Sequence, residues 1–156
     1  MSFAIRKDNQ GQRAINDPSD VGADEYFSEF PIEIVPTPTS ALVDAERDRR
    51  IESGIKFNGV NFQSRAADRE NVSSAAQLAL MAIGNGAEAE NLRWLDPDND
   101  FCWIASDNSL VPMDAQTVFE LGRVFAVTKQ HLIFAARKLK SLKTIPADFA
   151  DDKWWE

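Results

Sequence analysis

The chain has 156 residues, 44% of them hydrophobic, which suits one ordinary core with appendages rather than several domains. Its net charge of -8 speaks against general affinity for nucleic acid, which needs clustered cations to displace counterions from phosphate. A single cysteine, Cys102, excludes an intrachain disulfide, and neither the opening residues nor any later apolar run suits a secretory signal or a bilayer span of ~20 residues, so we expect no membrane partner and folding in a reducing cytoplasm.

The first predicted elements are strands. Phe3 to Lys7 and Gln12 to Ile15 flank Asp8-Asn9-Gln10-Gly11, which reads as a hairpin turn with Gly11 available for a positive backbone angle. Glu25 to Phe30 and Pro31 to Val35 read as extended. Two or three strands this short make a poor independent core, so the segment is expected to need a partner surface. Pro36-Thr37-Pro38-Thr39-Ser40 reads as a linker that sets up a helix, with Thr37 or Thr39 as its cap. The domain boundary falls there: a strand-rich arm over residues 1–36, and a compact domain over residues 37–156.

A first helix is expected from about Thr39 to Ser53, stopped by Gly54 in a left-handed cap conformation. Its charged sequence leaves little apolar face, so it reads as a partly exposed spacer. Asn58-Gly59 between Ile55-Lys56-Phe57 and Val60-Asn61-Phe62 is a strong signal for a two-residue hairpin, because both turn residues tolerate positive angles. Ser64 is placed as the cap of a second helix running to Ile83, which Gly84-Asn85-Gly86 ends.

Leu92 to Leu95 and Phe101 to Ile104 are expected to pair, and Leu110-Val111 to return beside them in a small antiparallel meander. Asp114 then caps the longest helix. Val118, Leu121, Phe125, Thr128, Leu132, Ala135, Leu139 and Leu142 follow steps of three and four, a seam suited to another helix. Flanking apolar residues such as Phe119, Val124 and Ala136 widen that stripe, which favours a core position against the second helix over homotypic pairing in an oligomer. The fold class is therefore α+β: a small strand-rich N-terminal part, then two or three helices with a short hairpin and a small meander.

Charge is segregated. Residues 1–46 carry three basic and nine acidic side chains, whereas between Asp114 and Lys143 six basic residues face two acidic ones. An acidic arm lying along a basic helix and a simply solvated helix face are both compatible with this pattern.

Chemical constellations are weak. His131 is the only histidine and has no nucleophile motif near it, so it reads as a packing or hydrogen-bonding residue. Asp96, Asp98 and Asp100 have the alternate spacing of a calcium loop, but Phe101 stands where glycine is wanted and Asp107 where glutamate is usual; a polar turn fits better. Cys102 lacks a resolving partner. Carboxylate pairs able to hydrolyse a polysaccharide cannot be picked out from spacing alone. No catalytic, metal or cofactor-binding residue is assigned. The contact candidates are the aromatics Tyr26, Phe27 and Phe30 in the arm and Trp154 and Trp155 in the tail, the latter pair either an interface anchor or folded back beside Trp94 and Trp103.

Two blocks, residues 47–65 and 103–140, resemble a domain of unknown function found in bacteriophage tail genes, usually in tail-fibre-assembly or other tail-associated proteins. The matching positions are Gly54, Ile55, Phe57, Gly59, Phe62, Ser64 and Arg65, then Trp103, Asp107, Asn108, Leu121, His131, Ala135, Leu139 and Lys140. The resemblance implies a non-enzymatic role: a tail-fibre assembly factor that binds a fibre protein, or an adaptor retained in the virion tail or baseplate. It implies a fibre or baseplate protein as partner, with a homo-oligomer also open, and residence in the host cytoplasm during assembly or in the virion tail afterwards.

Overall fold

The computed structural model describes residues 2–34 and 37–156. Val35 and Pro36, which the expected second extended segment and linker include, lie outside them. Among the described residues the architecture is α+β, with three α-helices, two small hairpins and an N-terminal three-stranded sheet.

The sheet is antiparallel with order β2-β1-β3, formed by β1 (Ser2–Arg6), β2 (Gln12–Ile15) and β3 (Glu25–Ser28). Strand side chains alternate between faces, so the adjacent buried pair Ala4 and Ile5 means that both faces of β1 are covered. Arg13 reaches across one face to Glu25 at 2.7 Å and to the Asp20 carbonyl at 2.6 Å, which ties down the 16–24 loop. Over the other face, the Gln12 side-chain amide donates to the Ile32 carbonyl at 2.9 Å and accepts from the Ile32 N–H at 2.8 Å. This reciprocal pair occupies the backbone of Ile32, so residues 31–34 form a strap rather than a strand. The turn also departs from expectation: Asn9, not Gly11, takes the positive angle, at φ 56°. Asparagine tolerates that region through local side-chain hydrogen bonding.

Helix α1 (Ser40–Glu52) is capped by Thr39, whose hydroxyl accepts from the Leu42 N–H, and the chain leaves through Gly54 at φ 106°. It is not the spacer expected. Val43 and Ile51, eight residues apart on one face, are buried against the C-terminal half of α3 (Ala115–Lys140). The charges that hide this face in the sequence serve the docking: Asp44 receives Lys140 at 2.6 Å and Arg47 at 2.6 Å.

Strands β4 (Ile55–Phe57) and β5 (Val60–Phe62) pair across the Asn58-Gly59 turn, both of whose residues have positive φ. Helix α2 (Ala66–Gly84) starts one residue later than expected: Arg65 is the N-cap, and its N–H is held by Asp68 at 2.9 Å. Ser64 is buried instead, and its hydroxyl finds no partner among the described residues.

The second hairpin has two strands, β6 (Cys102–Ile104) and β7 (Leu110–Pro112). The expected third, 92–95, contributes a single backbone bond, from the Phe101 N–H to the Leu92 carbonyl at 2.7 Å. Trp94 accounts for the difference. Its indole N–H donates to the Met113 carbonyl at 3.1 Å and its ring tilts onto Phe101 with centroids 4.9 Å apart, which draws the segment towards the start of α3.

Helix α3 belongs to two cores. Val118, Leu121 and Phe125 pack with Val72 and Ala79 of α2 and with Ile55, Phe62, Ala105 and Met113 of the hairpin region. Leu132, Ala135, Ala136 and Leu139 pack with Val43, Ile51 and Trp155. The seam therefore changes partner along its length, from α2 to α1. Its last member, Leu142, lies beyond the helix and is 39% exposed. Among the described residues, neither core contains a member of the N-terminal sheet.

Candidate partner-binding surfaces

The five contact residues expected from sequence separate into two groups. Tyr26, Phe27 and Phe30 are exposed, Phe30 at 74%. The strand register puts Tyr26 beside Ile5 and Phe27 beside Ala4, so the two rings project from opposite faces of β3, an edge strand. Tyr26 is also tethered, its hydroxyl donating to Asn9 Oδ1 at 2.9 Å. The arm thus offers an aromatic edge rather than one flat patch.

The tail tryptophans turn inward. Trp155 is 4% exposed, its indole N–H donating to the Phe149 carbonyl at 2.7 Å. Trp154 is half-buried and donates to Asp148 Oδ1 at 3.1 Å. Folding back thus describes the tail, but the seat lies between α1 and α3 and not beside Trp94 and Trp103. Arg50 closes it: the guanidinium lies 5.1 Å from the Trp155 ring centroid, donates to the Ala150 carbonyl at 2.7 Å, and pairs with Glu46 at 2.7 Å and Asp152 at 2.9 Å. Hydrogen bonds from Arg49 first, and from Arg50, hold the Glu46 carboxyl below its ordinary range against the opposing effect of burial. In sequence Arg50 is one cation in a charged run, and nothing local marks it as the clasp.

A surface that sequence reading missed lies between α2 and α3. Gly122 sits so close to α2 that a Cβ there would stand 2.4 Å from the Ala76 Cβ. Beside this close approach a groove of about 410 Å³ opens, floored by Val72, Ala76, Leu80, Phe125 and Ala126. Arg69, Arg123 and Lys129 stand along it, and among the described residues no carboxylate lines it. The alternation of small and large residues on two helices is the signal for such a groove, but it needs the helix pairing to be known.

The other tempting residues are used locally. Asp96 accepts from the Asp98 N–H and the Asn99 side chain, both at 2.9 Å, and these bonds, led by Asn99, hold its carboxyl below the ordinary range. Asp100 receives Arg93 at 2.9 Å. Both belong to a polar turn. Asp107 caps its own turn by accepting from the Ser109 hydroxyl and N–H. His131 does not take the packing or hydrogen-bonding role expected of it: it is exposed on α3 and enters no hydrogen bond among the described residues, and Cys102 is half-buried on β6. Among the described residues no helix is long and apolar enough to cross a membrane.

No curated protein and no solved structure matches the chain. A family profile does match, over residues 35–153, which is most of the chain and takes in the first core, the groove and all of the second core except Trp155, while leaving the N-terminal sheet outside. The chain belongs to the family described as Domain of unknown function (DUF4376).

Proposed function

We propose that the protein is a non-enzymatic bacteriophage tail-associated protein, a tail-fibre assembly factor that binds a fibre protein in the host cytoplasm. The observation that carries this reading is the resemblance of the two sequence blocks to tail-associated proteins. The blocks act as one structural unit: Ile55 and Phe62 of the first share a core with Leu121 of the second, and the Ser106 N–H donates to the Asn61 carbonyl at 2.8 Å. Several matching positions, including Ala135 and Leu139, are core residues that maintain the scaffold. Partner choice then falls to exposed residues. The aromatic edge at Tyr26, Phe27 and Phe30 lies outside the family match and is the surface we assign to the fibre or baseplate partner.

The test is co-expression of this chain with the fibre protein encoded beside it, together with quantitative mass spectrometry of purified particles. Co-purification that is lost in the Tyr26→Ala, Phe27→Ala, Phe30→Ala triple variant, with the chain absent from particles, is the expected result. Stoichiometric presence in particles would make it a retained adaptor instead. Absence from both the particle and the fibre complex would overturn the tail reading.

A further inference from the structure

The groove between α2 and α3 is the unfilled half of a layer whose other half α1 occupies. Helix α1 lies on the C-terminal half of α3 and ends near Glu52, where a cleft lined by Ile51, Glu52, Arg69 and Lys129 begins. Arg69 and Lys129 line the α2–α3 groove as well, so the two depressions meet at these cations. From that point towards Phe119, the groove is lined by side chains of α2 and α3 alone.

The seated helix shows what chemistry this layer accepts. Helix α1 presents Val43 and Ile51 to the apolar floor and sets Asp44 on Lys140, while Asp48 and Glu52 line the cleft that Arg69 and Lys129 share. The vacant half repeats the pattern with Val72, Ala76 and Phe125 as floor and Arg123 as a further cation, but it supplies no carboxylate of its own. Among the described residues Lys129 enters no ion pair, Arg123 pairs with the half-buried Glu120 at 2.7 Å, and Arg69 donates to the Ser64 carbonyl.

We propose that this groove receives a short acidic amphipathic helix from a partner protein. Phe119 to Lys129 is eleven residues of α3, ten steps of the helical rise or about 15 Å, so the occupant is a segment of about three turns. It lays apolar residues at spacings of three and four on Ala76, Leu80 and Phe119, above the buried Val72 and Phe125, and carries carboxylates at its flanks for Arg69, Arg123 and Lys129. The same charge disfavours a second copy in the groove: a two-fold contact there would bring three cations of each copy together with no carboxylate in the lining. The inference rests on the groove and does not depend on the tail assignment.

Two synthetic helical peptides with the same leucine face, one flanked by glutamates and its twin by lysines, test it against the full-length isotope-labelled protein. The expected result is saturable shifts at Ala76, Gly122 and Ala126 with the glutamate peptide, and affinity weaker on the order of tenfold or more for the lysine twin. The Arg123→Glu, Lys129→Glu variant should reverse that order. Equal affinity for both peptides, or shifts confined to other surfaces, would overturn the proposal without any use of the variant. Groove signals that move with protein concentration alone would assign the surface to a second copy and overturn it as well.

Discussion

Arg50 holds Trp155 from above. Its guanidinium stacks over the indole while its other donors take the Ala150 carbonyl and two carboxylates, so one side chain fastens the C-terminal tail to α1. Removing the ring opens a hole over Val43, Ile51 and Leu132, and Trp155→Ala should cost about 3–5 kcal/mol. Arg50→Lys keeps the charge but loses the planar fork that makes these contacts together, and should cost about 1–2 kcal/mol. Urea unfolding measures both. A Trp155→Ala midpoint equal to that of the parent would show that the tail is not structural.

Asp114 has two duties. One carboxylate oxygen accepts from the Thr117 N–H and caps α3; the other accepts from the Glu90 N–H, both at 2.7 Å, and so ties the 87–92 loop to the helix start. Partial burial pushes this carboxyl up, but the hydrogen bonds from Thr117 and Glu90 outweigh it and leave it below the ordinary range. A depressed folded-state value means stabilisation that is present above the unfolded value near ~4 and lost as pH falls through the folded one. Asp114→Asn should preserve the cap and flatten the acid limb of the stability curve, whereas Asp114→Ala should cost about 1–2 kcal/mol at neutral pH. Thermal melts between about pH 2 and 7, the range over which carboxylates titrate, make the comparison.

Glu90 itself sits at φ 67°, a region that side chains with a Cβ enter at a cost. Its side chain is exposed, so Glu90→Gly should stabilise the folded state by about 1 kcal/mol. The Asp114 tether must survive for this to hold. A lower melting temperature in the glycine variant would show that the positive angle carries no strain.

Gly122 and Ala76 test the helix pairing that makes the groove. Gly122→Ala drives a methyl group into Ala76 and should cost about 1–3 kcal/mol through overpacking, despite the better helix propensity of alanine. Adding Ala76→Gly should recover part of that loss, so the two changes should be non-additive in a double-mutant cycle. Simple additivity would mean that the helices part without resistance.

Local signals carried much of this architecture into the sequence. Asn58-Gly59, the Asp114 cap, Gly54 and the seam of α3 as far as Leu139 each act over a few residues and lie where they were expected, and of the two caps open for α1 the chain uses Thr39. What stayed hidden depends on partners far along the chain. Val43 and Ile51 look too sparse to dock a helix until Leu139 and Trp155 are seen beneath them. Leu92 to Leu95 looks like a strand until Trp94 is seen bonded to Met113. At the surfaces, the exposure of Phe30 was legible as an unsupported aromatic, whereas the inward turn of Trp155 and the cationic groove arise only when distant elements meet.

Arg50 meets Ala150 across 100 residues of sequence, and that separation has a consequence in time. At about 5–20 residues per second of synthesis, α1 waits roughly 5–20 s after its own emergence before its tail arrives. The core around Ile55, Phe62 and Phe125 draws on nothing beyond that phenylalanine and can close earlier. For most of that interval the covering residues of α3, Leu132 to Leu139, have not been made either, so a nascent chain should be most open to capture by chaperones, or by other copies, at Val43 and Ile51 rather than at the hairpins.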